Sequence, residues 1–343
     1  MHKIITFAIP CYNSAADMDH CITSLLEGSN FAPDVEIIIV DDVSHDETPA
    51  KADEWEERYP GIIRAVHQEN GGHGIAVLSG LREARGVYYK VVDSDDWLDG
   101  AALSTMLTIL RGFEERGTLV DLFISNYVYE KVHEGKHMTI SYHGALPRKK
   151  IFGWDKVGYF RPDQNLLMHS LTYRTEVVRA ANLPMPPHTF YVDNIYAYVP
   201  LPLCKSMYYA DIDLYRYFIG REGQSVNEAT MIRRLDQQFR ITRIMMHAYH
   251  LYTDIKEPRL SSYMMGYFTM MMSVCSIFSK LSEDPEMKAE NKRIWAELKE
   301  YDERMYRHAR CGLLGIGTNL PTKAGEKTSI ALYRVANKIF KFN

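Results

Sequence analysis

The apolar positions follow two patterns along the chain. Through the first hundred residues, short apolar runs alternate with segments whose apolar residues recur every three or four positions. Residues 3–12 are β-prone, and Met18, Cys21, Ile22, Leu25 and Leu26 then form one face of a helix. Residues 35–40 are continuously apolar, as expected of a strand covered on both faces. Thr48 and Pro49 predict an N-cap and first helical residue, opening a charged helix that stops near Tyr59-Pro60-Gly61. A third strand over 62–67, a helix over 74–84, a fourth strand over 87–92 and a helix from about 99 to 116 follow. Residues 121–130 read as another strand, with a partner around 138–142. This alternation predicts an α/β fold, a mostly parallel sheet with helices on both faces.

After about residue 226 the pattern turns helical. Residues 260–279 carry no charge and are long enough to span a bilayer, but five serines, a threonine and two tyrosines lower their hydropathy. A buried amphipathic helix is expected there. In residues 323–343, Lys323, Lys327, Arg334, Lys338 and Lys341 oppose only Glu326, and Ile330, Leu332, Tyr333, Val335, Ile339 and Phe340 interleave with them. That is the pattern of a basic amphipathic helix. The expected organisation is a catalytic domain over 1–225, a helical region over 226–322 and the basic segment over 323–343.

Composition narrows the function. The 343 residues are 46% hydrophobic, with 40 Lys plus Arg against 44 Asp plus Glu, a formal charge of -4. A disordered chain and a basic nucleic-acid binder are excluded, so no nucleic-acid partner is expected. Five cysteines, odd in number and without C-x-x-C spacing, indicate neither a disulfide framework nor a zinc site. With no signal peptide discernible, a cytoplasmic location is expected.

In doubly wound sheets, ligands sit beyond the carboxyl ends of the strands. Here strand one ends in Pro10-Cys11-Tyr12-Asn13, strand two in Asp41-Asp42, strand three in Glu69-Asn70-Gly71-Gly72 and strand four in Asp93-Ser94-Asp95-Asp96. Polar, acidic and glycine residues thus gather on one edge. Carboxylates one and two residues apart can converge on a hard cation such as Mg²⁺ or Mn²⁺. Asp41 and Asp42 are suited to accept hydrogen bonds from a base or ribose. The Asn70–Gly74 loop precedes a helix and fits neither the dinucleotide fingerprint nor a P-loop; it is expected to face the nucleotide.

These four motifs, extended to Val40-Asp41-Asp42-Val43-Ser44-His45-Asp46 and Val92-Asp93-Ser94-Asp95-Asp96-Trp97-Leu98, occur in the order and spacing of the family 2 glycosyltransferases, inverting enzymes of the GT-A fold. The resemblance is specific over 3–115 and looser to about 225. Val43 stands where the family usually has glycine. The resemblance implies a nucleotide-sugar donor, most often a UDP-sugar, bound in the 1–115 half, with the acceptor in the 116–225 half. Asp41 or Asp42 would contact the uracil-ribose part, and Pro10, Tyr12 and Asn13 would line the base pocket. Asn70, Gly71 and Gly72 would lie on the nucleotide side. Asp93, Ser94 and Asp95 would flank the diphosphate and its metal, with Asp95 or Asp96 as direct ligand.

An inverting transfer also needs a general base. The best match to the family's acidic pair is Tyr191-Val192-Asp193-Asn194, so Asp193 is the candidate; its alternative role is a helix N-cap. The stretch 215–225 resembles the family's closing loop, in which Arg221 or Arg216 would pair with the departing diphosphate. His169 and His188 have no assignable partner and read as packing residues. A nucleotidyltransferase is disfavoured because no glycine-rich basic loop follows strand one. An inactive nucleotide-sugar-binding module is disfavoured by the intact acidic cluster. The basic tail suggests peripheral contact with the inner face of a membrane, which would suit a carbohydrate acceptor built on a lipid carrier.

Overall fold

The computed structural model describes residues 2–131, 135–162, 164–220 and 227–340, with side chains described as far as Ala336. The chain forms two compact units. The first is Met1–Tyr159 with Leu166–Arg221, and the second is Phe160–Asn165 with Glu222–Asn343.

The first unit begins with β1 (Lys3–Cys11), α1 (Met18–Gly28), β2 (Val35–Asp41), α2 (Thr48–Arg58), β3 (Ile63–His67), α3 (His73–Glu83) and β4 (Gly86–Val91). It continues with β5 (Trp97–Leu98), α4 (Gly100–Glu115), β6 (Leu122–Lys131), β7 (Lys136–Ile140) and β8 (Ile151–Phe152). Then come β9 (Leu171–Arg174), α5 (Thr175–Ala180), α6 (Asp193–Tyr198) and β10 (Met207–Phe218). Among the described residues the strands form one sheet in the order β3-β2-β1-β4-β9-β6-β10-β5, with β7 on β6 and β8 on β10. The first four neighbours run parallel. β9 inserts antiparallel between β4 and β6, and β6 and β10 are parallel again.

Burial explains the sequence pattern. All nine residues of β1 are buried between β2 and β4. Ile37 and Ile39 join Leu25, Leu103 and Leu107 in the core under α1 and α4, whereas Ile38 and Val40 pack with Ala76 of α3 on the opposite face. Both faces of the strand are therefore covered, and the run stays apolar. Pro10 lies buried in β1, where β4 has given out: the last pair on that side is Ala8 with Val91. Its missing N–H breaks no ladder bond. Thr48 is the first residue of α2, with Glu47 rather than Thr48 in the cap position.

Strands β5, β8, β9 and β10 lie outside what the hydrophobic pattern predicts. Their places are set by side chains from elsewhere. Lys90 of β4 is fully buried, and its ammonium donates to the carbonyls of His169 (2.7 Å) and Leu171 (3.2 Å) at the start of β9. Burial pulls its pKa down to about 7. In β10 the register slips twice between Tyr209 and Tyr215, where Asn126 of β6 donates to Asp211 and Asp213. Such an irregularity re-aims the residues that follow it.

The turn after β2 departs from ordinary backbone geometry. Val43, where the resembling family usually carries glycine, sits at φ 56°, in the left-handed region. A β-branched side chain is poorly tolerated there. Asp41 holds the turn by accepting from the Ser44 N–H at 3.1 Å.

The second unit is helical: α7 (Glu228–Arg233), α8 (Leu235–Ala248), α9 (Pro258–Leu281), α10 (Pro285–Tyr301), α11 (Glu303–Cys311), α12 (Leu313–Thr318) and α13 (Thr322–Phe340). The uncharged stretch 260–279 lies within α9, and most of its residues are buried, including Met264, Met265, Phe268, Met272 and Cys275. Its serines bond within the unit: Ser276 Oγ accepts from Trp295 Nε1 at 2.9 Å. Among the described residues no helix is long and apolar enough to cross a membrane. α13 docks through Ser329, bonded by Lys280, and through Tyr333 against Phe278. Leu332 and Val335 remain 53% and 55% exposed.

Replacing Val43 with glycine should relieve left-handed strain of about 1–2 kcal/mol. The added freedom of the unfolded chain offsets about 0.5–1 kcal/mol of that gain. The Val43→Gly urea midpoint should therefore rise, with an unchanged slope; a lower midpoint would refute the strain.

Candidate active site

The four polar strand ends do meet at one edge of the sheet. After β1, Tyr12 is 52% exposed and Asn13 takes φ 52°. Asn13 bridges to the turn after β2: its N–H donates to Ser44 Oγ (2.9 Å), and its Oδ1 accepts from the His45 N–H (2.8 Å). Ser14 continues the seam to strand four through Ser94, with the hydroxyls 2.8 Å apart.

Asp41 and Asp42 are both buried, and protein donors meet their oxygens. Asp41 accepts from Ser44 and lies 3.0 Å from His67 Nδ1. Asp42 accepts from Gln68 Nε2 (2.7 Å), the Gly71 N–H (2.8 Å) and the Gly72 N–H (2.7 Å). Asn70 completes the tie by donating to the Asp42 carbonyl at 2.8 Å. In this chain the Asn70–Gly74 loop is thus an anchor for the Asp42 carboxylate.

That loop also carries the next segment. Gly72 has φ 81°, and a Cβ there would stand 3.0 Å from the His188 backbone. The His188 N–H donates to the Gly71 carbonyl at 2.8 Å. Gly74 packs against Val192: a Cβ would meet its methyl groups at 3.3 Å. The 188–192 segment, with His188 and Tyr191 both at positive φ, therefore rests on the start of α3 and delivers Asp193 beside it. Val192 occupies the N-cap position of α6 and offers no side-chain cap, and Asp193 is the first helical residue, its Oδ1 accepting from Asn194 Nδ2 at 3.3 Å. Burial raises the Asp193 carboxyl to about 6; His73 opposes the rise and the charge of Asp93 adds to it.

Strand four supplies the acidic centre. Asp96 is 0% exposed and is gripped by β10: Tyr215 Oη donates to Oδ2 at 2.7 Å and the Phe218 N–H to Oδ1 at 2.8 Å. Burial, reinforced by the charges of Asp95 and Asp93, pushes its carboxyl well above the ordinary range. Asp93 lies 2.8 Å from His73 Nε2, at the first residue of α3. Burial would raise Asp93, but the His73 bond and charge prevail and hold it low. In turn, burial disfavours charge on His73, and the Asp93 partner outweighs that and raises it. Asp95 is half-buried in the same turn.

His169, which the sequence places among packing residues, lies buried beside this centre. It precedes β9, is 7% exposed, and its ring lies 4.7 Å from that of Tyr215 and 4.5 Å from that of Tyr217. Burial holds its pKa down to about 4, so the ring is neutral. Its Nδ1 is buried without a hydrogen-bond partner. Ligating atoms of Asp93, Asp96 and His169 all lie within 4.8 Å of one another. Two carboxylates and an imidazole at this spacing suit a divalent cation.

The closing-loop arginines fare differently. Arg216 lies in β10, where Glu130 (2.9 Å) and Asp99 (3.0 Å) pair with it. Arg221 lies outside the described residues. His73 was visible only as part of a glycine-rich motif. No spacing rule points to His169, because the Lys90 bonds that fix it are non-local.

Residues 6–175 match the sequence profile of "Glycosyl transferase family 2". "Putative glycosyltransferase EpsH" of Bacillus subtilis is 27% identical over 232 residues, 63% of this chain and 60% of that protein. "Uncharacterized glycosyltransferase EpsJ" of the same organism is 36% identical over 101 residues, 29% of this chain and 28% of that protein. The aligned region thus spans less than two thirds of either relative. Among solved structures, S. aureus TarS 1-349 in complex with UDP-GlcNAc superposes with a TM-score of 0.64 at 16% identity, over 97% of this chain and 92% of that one. The mannosyltransferase PcManGT from Pyrobaculum calidifontis, in complex with GDP-Man and Mn²⁺, gives 0.52 at 15% identity, over 98% and 88%. At such identities the likeness is one of fold, the GT-A fold. Through residues 6–175 the chain belongs to glycosyl transferase family 2.

Proposed function

We propose that the chain transfers a sugar, with inversion, from a nucleotide-sugar donor to an acceptor hydroxyl in polysaccharide or glycolipid assembly, the donor being a UDP-sugar. The observation that carries this reading is the delivery of Asp193, a carboxyl raised to about 6, to the sheet edge that holds the acidic centre. A base of that strength is largely ionised at neutral pH yet basic enough to take a hydroxyl proton. Family membership supports the reading, as do fold relatives whose structures hold UDP-GlcNAc and GDP-Man.

The reaction is a single displacement. The acceptor oxygen attacks the anomeric carbon as its proton passes to an Asp193 oxygen, and the bond to the diphosphate breaks. Tyr12 and Asn13, beyond the buried Pro10, line the nucleoside pocket. Asp41 and Asp42 shape its floor, and Asn70, Gly71 and Gly72 hold Asp42 in place. Ser94 fixes the strand-four turn against Ser14. Asp93, Asp95 and Asp96 would hold Mn²⁺ or Mg²⁺, which when bound neutralises charge on the departing diphosphate. Arg221 is proposed to meet that diphosphate. The acceptor is a carbohydrate or lipid-linked carbohydrate. The second unit would approach the inner face of an anionic membrane through α13, whose Leu332 and Val335 are exposed beside Lys327 and Arg334.

A screen of nucleotide sugars with Mn²⁺ and Mg²⁺ should find a donor that the chain turns over, with Asp95→Ala inactive. UDP binding without turnover of any donor would instead mark a binding module. Asp193→Asn should bind donor normally and lose about 10² to 10⁴-fold in transfer rate; near-full activity would remove Asp193 from the role. In the unaltered enzyme, kcat/KM should fall as pH drops through about 6, because protonation of the raised carboxyl removes the base. Deleting residues 323–343 should release the protein from anionic liposomes, where each Lys or Arg contributes about 1 kcal/mol. A full chain that ignores such liposomes would end the membrane proposal.

A further inference from the structure

The acidic centre contains one group that the proposed chemistry leaves unused. His169 is buried, its Nδ1 has no hydrogen-bond partner, and a ring nitrogen lies within 4.8 Å of carboxylate oxygens of Asp93 and Asp96. A buried polar atom without a partner costs about 1–3 kcal/mol, so its retention needs a reason. Packing alone is a poor one, because an apolar ring would fill the space between Tyr215 and Tyr217 without that cost. The residue is also held rather than merely accommodated. Lys90 grips its carbonyl at 2.7 Å, and the rings of Tyr215, Tyr217 and Tyr127 confine its imidazole. A metal ligand must be fixed in this way before the ion arrives.

We propose that His169 is a nitrogen ligand of the divalent cation, and that it makes the site select a first-row transition ion such as Mn²⁺ over Mg²⁺. This inference rests on the metal-dependent reading above. Mg²⁺ takes oxygen ligands in a near-ideal octahedron, whereas imidazole nitrogen favours transition ions. A centre of carboxylates alone would bind either ion. One neutral imidazole added to it tilts the choice.

The test reads the ligand rather than the turnover. The full chain, labelled with ¹⁵N-histidine, is loaded with Mn²⁺ and UDP and studied by pulsed electron paramagnetic resonance. A ¹⁵N hyperfine coupling of directly bound imidazole is expected, and it should vanish in His169→Gln. That variant should also weaken Mn²⁺ binding by about 10-fold or more while changing Mg²⁺ binding less. His73, bonded to Asp93, is the other imidazole at the centre, so His73→Gln should keep the coupling. This second variant keeps the test decisive if His169→Gln does not fold. Bound Mn²⁺ without ¹⁵N coupling, or a coupling lost with His73 instead, overturns the assignment and leaves the metal-dependent reading standing. No bound Mn²⁺ overturns both.

Discussion

A buried carboxylate must be given hydrogen-bond donors, and this constraint organises the whole site. Asp96 has no exposed surface, and its two oxygens are met by Tyr215 and Phe218 of β10. Those donors are more than a hundred residues away in sequence. Asp96 finds these donors only because β10 lies beside β6, with the register slips just ahead of Tyr215. Asp42 imposes the same demand at strand two. It is met by Gln68 and the backbone of Gly71 and Gly72, and that loop then supports the segment leading to Asp193. Satisfying two buried acids thus fixes the positions of the exposed ones.

The sheet core and the acidic edge were legible in the sequence because their signals are local. A doubly covered strand reads as a continuous apolar run, and residues 35–40 are one. A strand end reads as a shift from apolar to acidic, and Asp41 and Asp93 mark two. The 260–279 stretch was legible as a buried helix because its serines dilute its hydropathy, and they bond inside the unit. What escaped was set by non-local contacts. β9 enters antiparallel between β4 and β6 under the grip of Lys90, a residue that looks like an ordinary strand cation in the sequence. Arg216, in a Tyr- and Arg-rich stretch, pairs with Asp99 and Glu130. The Asn70–Gly74 motif was recognised, while its role as an anchor for Asp42 required the fold.

The carboxyl groups at this edge differ in protonation because their partners differ. Asp93 has His73 and stays low. Asp96 has neutral donors and two acidic neighbours, and is driven high. Asp193 has burial and the charge of Asp93 on one side and His73 on the other, and lies between them at about 6. Titratable groups whose environments push their pKa values apart take different chemical parts. Burial drives Asp96 and Asp193 upward, and His73 opposes that pull at Asp93, by its bond and its charge, and at Asp193 by charge. His73 stands at the first turn of α3, where the close approach of Gly72 to His188 brings the Asp193 segment within its reach. The glycine loop therefore ties the two regions together: it holds the Asp42 carboxylate, and it carries the segment that sets Asp193 beside the acidic centre.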